Sequence, residues 1–202
     1  MTLRNDIDEI LFSEEDIKEI TKRLASELTR DYDGKNPVFV ALLKGSIMFM
    51  GDLVKYVDTH LEMDFMDVSS YVGTKSTGEV KILKDLSTSI EGRHVVIVED
   101  IVETGATLNY IIDFLRSRKA ESVEVVTLLD KPVPERKLEV DVKCIGTTIP
   151  EGFVVGYGLD FNENYRNLPY IGLLKPELYN LSLIHISEPT RHFKRSRMPS
   201  SA

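Results

Sequence analysis

Two kinds of apolar run alternate along the chain. The first kind is short, continuous and rich in β-branched residues: Val38-Phe39-Val40-Ala41-Leu42-Leu43, Val95-Val96-Ile97-Val98 and Val123-Glu124-Val125-Val126-Thr127-Leu128-Leu129-Asp130. A strand covered by helices on both faces has no polar side to show, so it reads as a nearly unbroken apolar run rather than an alternation. The second kind has helical spacing. Ile17, Ile20, Leu24 and Leu28 follow at intervals of three, four and four residues, and Leu108, Ile111, Ile112 and Leu115 keep to one helical face. Ile47, Met50, Leu53, Val54 and Val57 suggest a further helix. Ser13-Glu14-Glu15-Asp16 has the form of a capping box ahead of the first stripe. Strand and helix in alternation predict an α/β protein, with a mainly parallel central sheet flanked by helices.

The joints between these runs carry the candidate chemistry. The apolar run ending at Val98 stops at Glu99-Asp100, and beyond Glu103 a small-residue turn, Thr104-Gly105-Ala106-Thr107, leads into the stripe that begins at Leu108. Such a turn offers backbone N–H groups and the positive end of a helix dipole, which together hold a phosphate without a lysine. Carboxylates at its lip suit ribose hydroxyls or a hard cation. Two acids alone would be at home on a solvated strand end; beside this turn they read as a ribose-phosphate site. Lys44-Gly45-Ser46 repeats the order of strand, glycine turn and helix, and is either a plain helix entry with a solvated lysine or a second anion pocket. Prolines 132 and 134 stop the strand that ends at Asp130, leaving Lys131 at a strand's C-terminal edge, where open α/β sheets bind ligands. Between the strand-like stretches Met63 to Val72 and Val80 to Leu83 lies Gly73-Thr74-Lys75-Ser76-Thr77-Gly78, an ordinary long hairpin connection or a mobile lid. Leu138 to Ile145 alternates as a further strand.

Composition narrows the function. At 202 residues and 22.9 kDa the chain suits one α/β domain with a full core. Its 42% hydrophobic and 29% charged residues are ordinary for a soluble protein. No apolar run is long enough for a membrane span, and the N-terminus lacks the apolar core of a signal peptide, so a cytoplasmic location is expected. The single cysteine, Cys144, sits in a strand-like stretch and reads as a buried structural thiol. The formal charge of −8 argues against a nucleic-acid partner. Residues 181–202 carry a net +3, so the first 180 residues carry −11. An acidic body that binds polyanionic substrates needs local N–H cradles and metal ions, which points to Mg²⁺.

The run Val98-Glu99-Asp100-Ile101-Val102-Glu103-Thr104-Gly105-Ala106-Thr107-Leu108 resembles the phosphoribosyl-diphosphate signature of the type I phosphoribosyltransferases, and most closely their 6-oxopurine (hypoxanthine-guanine) branch. Phe153-Val154-Val155-Gly156-Tyr157-Gly158-Leu159-Asp160 and Tyr165-Arg166-Asn167-Leu168-Pro169-Tyr170-Ile171-Gly172 resemble the purine-binding hood of the same family. The resemblance covers nearly the whole chain, ending near Tyr179. It implies the type I phosphoribosyltransferase fold over residues 1–180, with a small hood built partly from residues after Leu138. It further implies that Glu99 and Asp100 hold the ribose hydroxyls, directly or through metal, and that Thr104, Gly105, Ala106 and Thr107 surround the 5-phosphate. Lys44, Gly45 and Arg166 are carried over to the diphosphate, the peptide bond before Lys44 being one that can be cis. Asp160 falls near a second metal, Phe153 stacks on the purine, and Val154 reads its edge. Lys131, which carries only donors, would select a 6-oxo group over a 6-amino group. Ser70 and Tyr71 would stand at the base of a closing lid.

Glu103 departs from the family, which usually has Asp there as the proposed proton acceptor. The resemblance implies an Mg²⁺-dependent transferase acting on phosphoribosyl diphosphate with hypoxanthine or guanine, and a homodimer or homotetramer. A xanthine-preferring transferase and a phosphoribosyl-diphosphate-sensing regulator are the competing expectations. The second of these usually carries a DNA- or RNA-binding element, and neither a helix-turn-helix pattern nor a basic face occurs outside the tail. That tail, from Leu181-Ser182-Leu183-Ile184-His185-Ile186, resembles the translation of a sequencing adapter and is expected to be a non-native addition without regular structure.

Overall fold

A computed structural model describes residues 2–70, 80–134, 136 and 142–179. The expectations about Tyr71, the loop 73–78 and the tail 181–202 lie outside the described residues. After a 3-10 turn (Leu3–Asp6) comes a strand that the apolar pattern did not announce, β1 (Ile7–Phe12). Next is α1 (Glu14–Tyr32), whose capping box forms in full: the Ser13 hydroxyl accepts from the Asp16 N–H at 3.2 Å, and the Asp16 carboxylate accepts from the Ser13 N–H at 2.9 Å. Ser13→Ala removes one half of that reciprocal pair. It should lower stability by about 1 kcal/mol, read as a fall in melting temperature of roughly 2–4 °C.

The chain continues through β2 (Val38–Leu43), α2 (Ile47–Leu53), β3 (Glu62–Ser70), β4 (Val80–Lys84), β5 (His94–Val102), α3 (Ala106–Ser117), β6 (Ser122–Asp130), β7 (Cys144–Thr148), β8 (Val154–Val155) and β9 (Ile171–Leu174). Six strands form one sheet in the order β4-β3-β2-β5-β6-β7. All neighbours in it are parallel except β4, which runs antiparallel to β3 at the edge. Alternate side chains of each central strand go to opposite layers. Phe39, Ala41, Val96 and Val98 pack with Leu24, Leu28 and Phe49 on the α1/α2 side. Val38, Val40, Val95 and Ile97 pack with Ile111, Ile112 and Leu115 of α3. Both faces are thus dry, which is why these strands are apolar throughout. Cys144 is buried in the α1 layer, and burial pushes its thiol up to about 12, as befits a structural residue.

A second, three-stranded antiparallel sheet, β1-β9-β8, closes over one end. It joins the start of the chain to the segment after Gly152, around a small core of Ile7, Val155, Leu168 and Leu174. The Tyr157 hydroxyl donates to Asp52 at 2.6 Å, and the Tyr165 hydroxyl donates to Asp6 at 2.9 Å, tying this hood to α2 and to the N-terminal turn. Two expectations need correcting. The strand expected over Leu138 to Ile145 contains only Cys144 and Ile145 among the described residues and runs on to Thr148. It lies in the main sheet, paired with Val126 to Asp130, and so is no part of the hood. The strand expected to stop at Glu99 continues through both acids to Val102, because its pairing with β6 persists to Val102↔Asp130.

Candidate active site

The site forms where the sheet changes direction. From β2 the chain order proceeds one way to β3 and the other way through β5, β6 and β7, and ligands of open α/β sheets occupy such a switch point. Pairing of β2 with β5 ends at Ala41↔Val98, whereas β5 and β6 remain paired four residues further. Glu99 and Asp100 therefore sit within a strand that has lost its neighbour on one side, at the mouth of the crevice. The chain leaving β2 carries a cis peptide bond between Leu43 and Lys44. Gly45 then passes so near the acids that a Cβ there would lie 1.8 Å from the Asp100 carboxylate. A side chain at this position would displace the Asp100 carboxylate.

Both acids are partly buried, and burial is the main influence on each. It pushes Asp100 up to about 6, while burial and then the neighbouring Asp100 charge raise Glu99 well above the usual carboxylate range. Two adjacent carboxylates held in this way favour a cation or hydroxyl donors between them and a ligand. Among the described residues no three acidic, His or Cys side chains gather as a metal cage. A divalent ion would thus take one or two protein oxygens and the rest from substrate and water, which is the way Mg²⁺ is commonly held at phosphate sites.

Beyond Val102 the chain turns through Thr104 to Gly105, which caps α3 with φ +75, a conformation natural to glycine. Glu103, Thr104, Gly105, Ala106 and Thr107 line a concavity of about 180 Å³ over the N-terminus of α3. Adjoining it, Asp100, Ile101, Glu103, Lys131, Phe153, Val154, Leu159 and Asp160 enclose about 320 Å³. Lys131 follows β6 directly, its N–H donating to the Val102 carbonyl at 2.9 Å. Its ammonium donates to the Glu103 carboxylate at 2.8 Å. Phe153, 37% exposed, meets Phe161 edge-on at 5.2 Å and stacks on Tyr179 at 5.6 Å, so the ring lines the cavity from a braced position.

Lys44 and Arg166 both reach the Glu163 carboxylate. Arg166 donates to the Gly158 carbonyl at 2.7 Å and pairs with Asp160 at 2.8 Å. Its Nε is buried with no partner among the described residues. The Lys44 ammonium reaches Glu163 at 2.9 Å, and the pairing holds the Glu163 carboxyl below its usual range. Arg166 also lines a separate cavity of about 370 Å³ between α1, α2 and the hood, which contains neither the acidic pair nor the phosphate turn. Ser70 ends β3 opposite Val80.

The structure therefore gathers Asp100, Glu103, Lys131, Phe153, Val154 and Asp160 around one cavity, and sets Glu99, Thr104, Gly105, Ala106 and Thr107 around the adjoining one. Gly45 lies against Asp100, Arg166 pairs with Asp160, and Lys44 is joined to Arg166 through Glu163. Sequence reasoning missed Glu163, Gly158 and Leu159. Gly158, at φ +101, has the Gly45 carbonyl 1.9 Å from where a Cβ would be, so hood and turn meet backbone to backbone. The Gly156-Tyr157-Gly158 spacing was its only signal. Glu163 had none, being one acid in a polar loop.

With this geometry established, the chain can be set beside known proteins. Residues 8–162 match the phosphoribosyl transferase domain family. The chain belongs to this family of transferases. It is 60% identical over 179 residues to the hypoxanthine-guanine phosphoribosyltransferase of Staphylococcus aureus, covering 88% of this chain and 99% of that one. A crystal structure of a Staphylococcus aureus hypoxanthine phosphoribosyltransferase superposes with a TM-score of 0.83 at 60% identity, over 88% of this chain and 96% of the other. A hypoxanthine-guanine-xanthine phosphoribosyltransferase structure superposes at 0.77 with 40% identity, over 85% and 99%.

Proposed function

We propose that the protein moves the 5-phosphoribosyl group of phosphoribosyl diphosphate to hypoxanthine or guanine, releasing diphosphate and inosine or guanosine 5′-monophosphate, in purine salvage in the cytosol. The observation that carries this reading is the shared cavity of Lys131, Glu103 and Phe153 next to the acidic pair and the phosphate turn. In the reaction the bond from the ribosyl carbon to the diphosphate oxygen breaks, a bond to a purine ring nitrogen forms, and the proton on that purine passes to a base. Glu99 and Asp100 hold the ribose hydroxyls, and the turn from Thr104 to Thr107 holds the 5-phosphate through N–H groups and the helix dipole. Lys44 and Arg166 bind the diphosphate, Arg166 by a fork suited to phosphate oxygens. Glu99 and Asp100, with Asp160 for a second ion, would hold Mg²⁺, which would supply neutralisation of the leaving group's charge.

Lys131 keeps donors beyond the one given to Glu103, so a purine 6-oxo group can join the pair without breaking it. The amino group of adenine would leave that half-buried donor facing another donor, and a mismatch of this kind is rejected strongly. The carboxylate of Glu103 then stands at the purine's edge and takes its proton. Turnover of phosphoribosyl diphosphate and Mg²⁺ with each base is the test. Hypoxanthine and guanine are expected to react, and adenine at least about 100-fold less well. A dominant rate with xanthine would move the protein to the xanthine-preferring branch, and binding of phosphoribosyl diphosphate without turnover would make it a sensor. Light scattering reads the expected homodimer or homotetramer.

A further inference from the structure

The hood loop that follows Asp160 contains an acid that the proposed chemistry does not use. Asn162 and Glu163 turn with φ of 51 and 62, and the Glu163 N–H donates to the Asp160 carboxylate at 2.8 Å, which holds the turn. One carboxylate oxygen of Glu163 lies 2.9 Å from the Lys44 ammonium, on the turn that leaves β2. The other lies 3.4 Å from Arg166. Two oxygens of one anion thus face two cations from different parts of the fold, as two oxygens of a phosphoryl group would. The lysine and the acid are 61% and 65% exposed, so their attraction is screened and easily exchanged for that of a more highly charged ligand.

We propose that Glu163 is an internal stand-in for the diphosphate: in the free enzyme it occupies Lys44 and Arg166, and the diphosphate group of the substrate displaces it. The inference rests on the assignment of Lys44 and Arg166 to diphosphate binding. The carboxylate keeps the exposed Lys44 side chain, otherwise free to disperse, directed before substrate arrives at a point that Arg166, already held by Asp160 and the Gly158 carbonyl, also faces. It also competes with the ligand for both cations, and closes again as diphosphate leaves. A residue that merely fastened the hood to the turn would do neither, since Gly158 and Gly45 already bring those segments into contact through their backbones.

The experiment is calorimetric titration of inorganic diphosphate, with Mg²⁺, into the wild-type protein and Glu163→Gln, alongside steady-state kinetics. Removing one competing charge beside the ligand in a water-exposed setting should tighten diphosphate binding by about fivefold. The KM for phosphoribosyl diphosphate should fall by a similar factor, while the KM for hypoxanthine stays where it was. In a Lys44→Met background the gain from Glu163→Gln should shrink, because the partner for which Glu163 competes is gone. Diphosphate binding that is unchanged in Glu163→Gln overturns the proposal, since the carboxylate then does not compete. Weaker binding also overturns it and makes Glu163 a support of the site or a cation ligand. These outcomes presuppose that the wild-type protein binds diphosphate and turns over; if it does neither, it is the transferase reading that falls.

Discussion

Asp100→Asn should melt at a higher temperature than the wild-type protein at pH 7.5 in the absence of divalent ions, and should lose at least about 100-fold in kcat/KM. The two effects share one cause. The Asp100 carboxyl, ordinarily at 3.8, is pushed up to about 6 by burial, so the folded state prefers it protonated. Stability that this group contributes below pH 4 is lost as the pH rises through 6, and above that the fold carries a charge it disfavours. The shift corresponds to about 3 kcal/mol at neutral pH, and partial exposure and relaxation reduce what a variant recovers. A gain of roughly 5 °C is expected from the amide, which keeps the shape without the charge. Above pH 6 the difference should be full, and it should close as the pH is lowered towards 4. Adding Mg²⁺ with phosphoribosyl diphosphate should raise the melting temperature of the wild-type protein more than that of Asp100→Asn. Equal melting temperatures at pH 7.5, or equal responses to the ligand pair, would show that the carboxylate is neither disfavoured in the fold nor engaged by the substrate. Stability given up where a ligand must bind is a familiar signature of working sites.

How legible this arrangement was depended on which physical force wrote each part. The central strands declared themselves because both faces are buried, which forces an apolar side chain at nearly every position of Val38 to Leu43 and Val95 to Val98. The capping box and the stripe of α1 were equally plain, since helix ends and faces obey short-range rules. β1 obeyed none that could be read locally. Its pairing with β9 is broken by two register shifts, so the alternation of a half-buried strand is lost, and its partner lies more than 150 residues away. Continuation of β5 through Glu99 and Asp100 was hidden for a related reason, because pairing with β6 rather than apolar character keeps the strand extended there.

The site itself was readable through residue types joined at the strand ends, and its assignment to named roles came through resemblance. What the chain could not announce were contacts made across the crevice. The ion pair of Lys131 with Glu103 spans 28 residues and that of Lys44 with Glu163 spans 119. Neither follows from any periodicity. The same holds for Gly158, whose missing side chain answers both to its φ of +101 and to the Gly45 carbonyl arriving from another part of the fold.

Glu103→Gln is expected to lower kcat by about 100-fold while changing the KM for hypoxanthine by no more than about threefold. The amide keeps the length and can still accept the Lys131 donor through its carbonyl oxygen, so the cavity and the reading of the 6-oxo group should survive. What disappears is the ability to take the purine's proton, which matters only as the transition state is reached. Glu103→Asp provides the complementary arm. It keeps the carboxylate but withdraws it by one methylene from a lysine now 2.8 Å away, so the ion pair loosens. If the longer side chain here serves to place the base through that pairing, Glu103→Asp should retain proton transfer yet show a weaker hold on Lys131, seen as a kcat reduced severalfold and a raised KM for hypoxanthine. Activity in Glu103→Asp equal to wild type would mean that the turn itself adapts to either length. A kcat unchanged in Glu103→Gln would remove Glu103 from the base role, leaving Lys131, with its remaining donors, as the residue that governs the purine's edge.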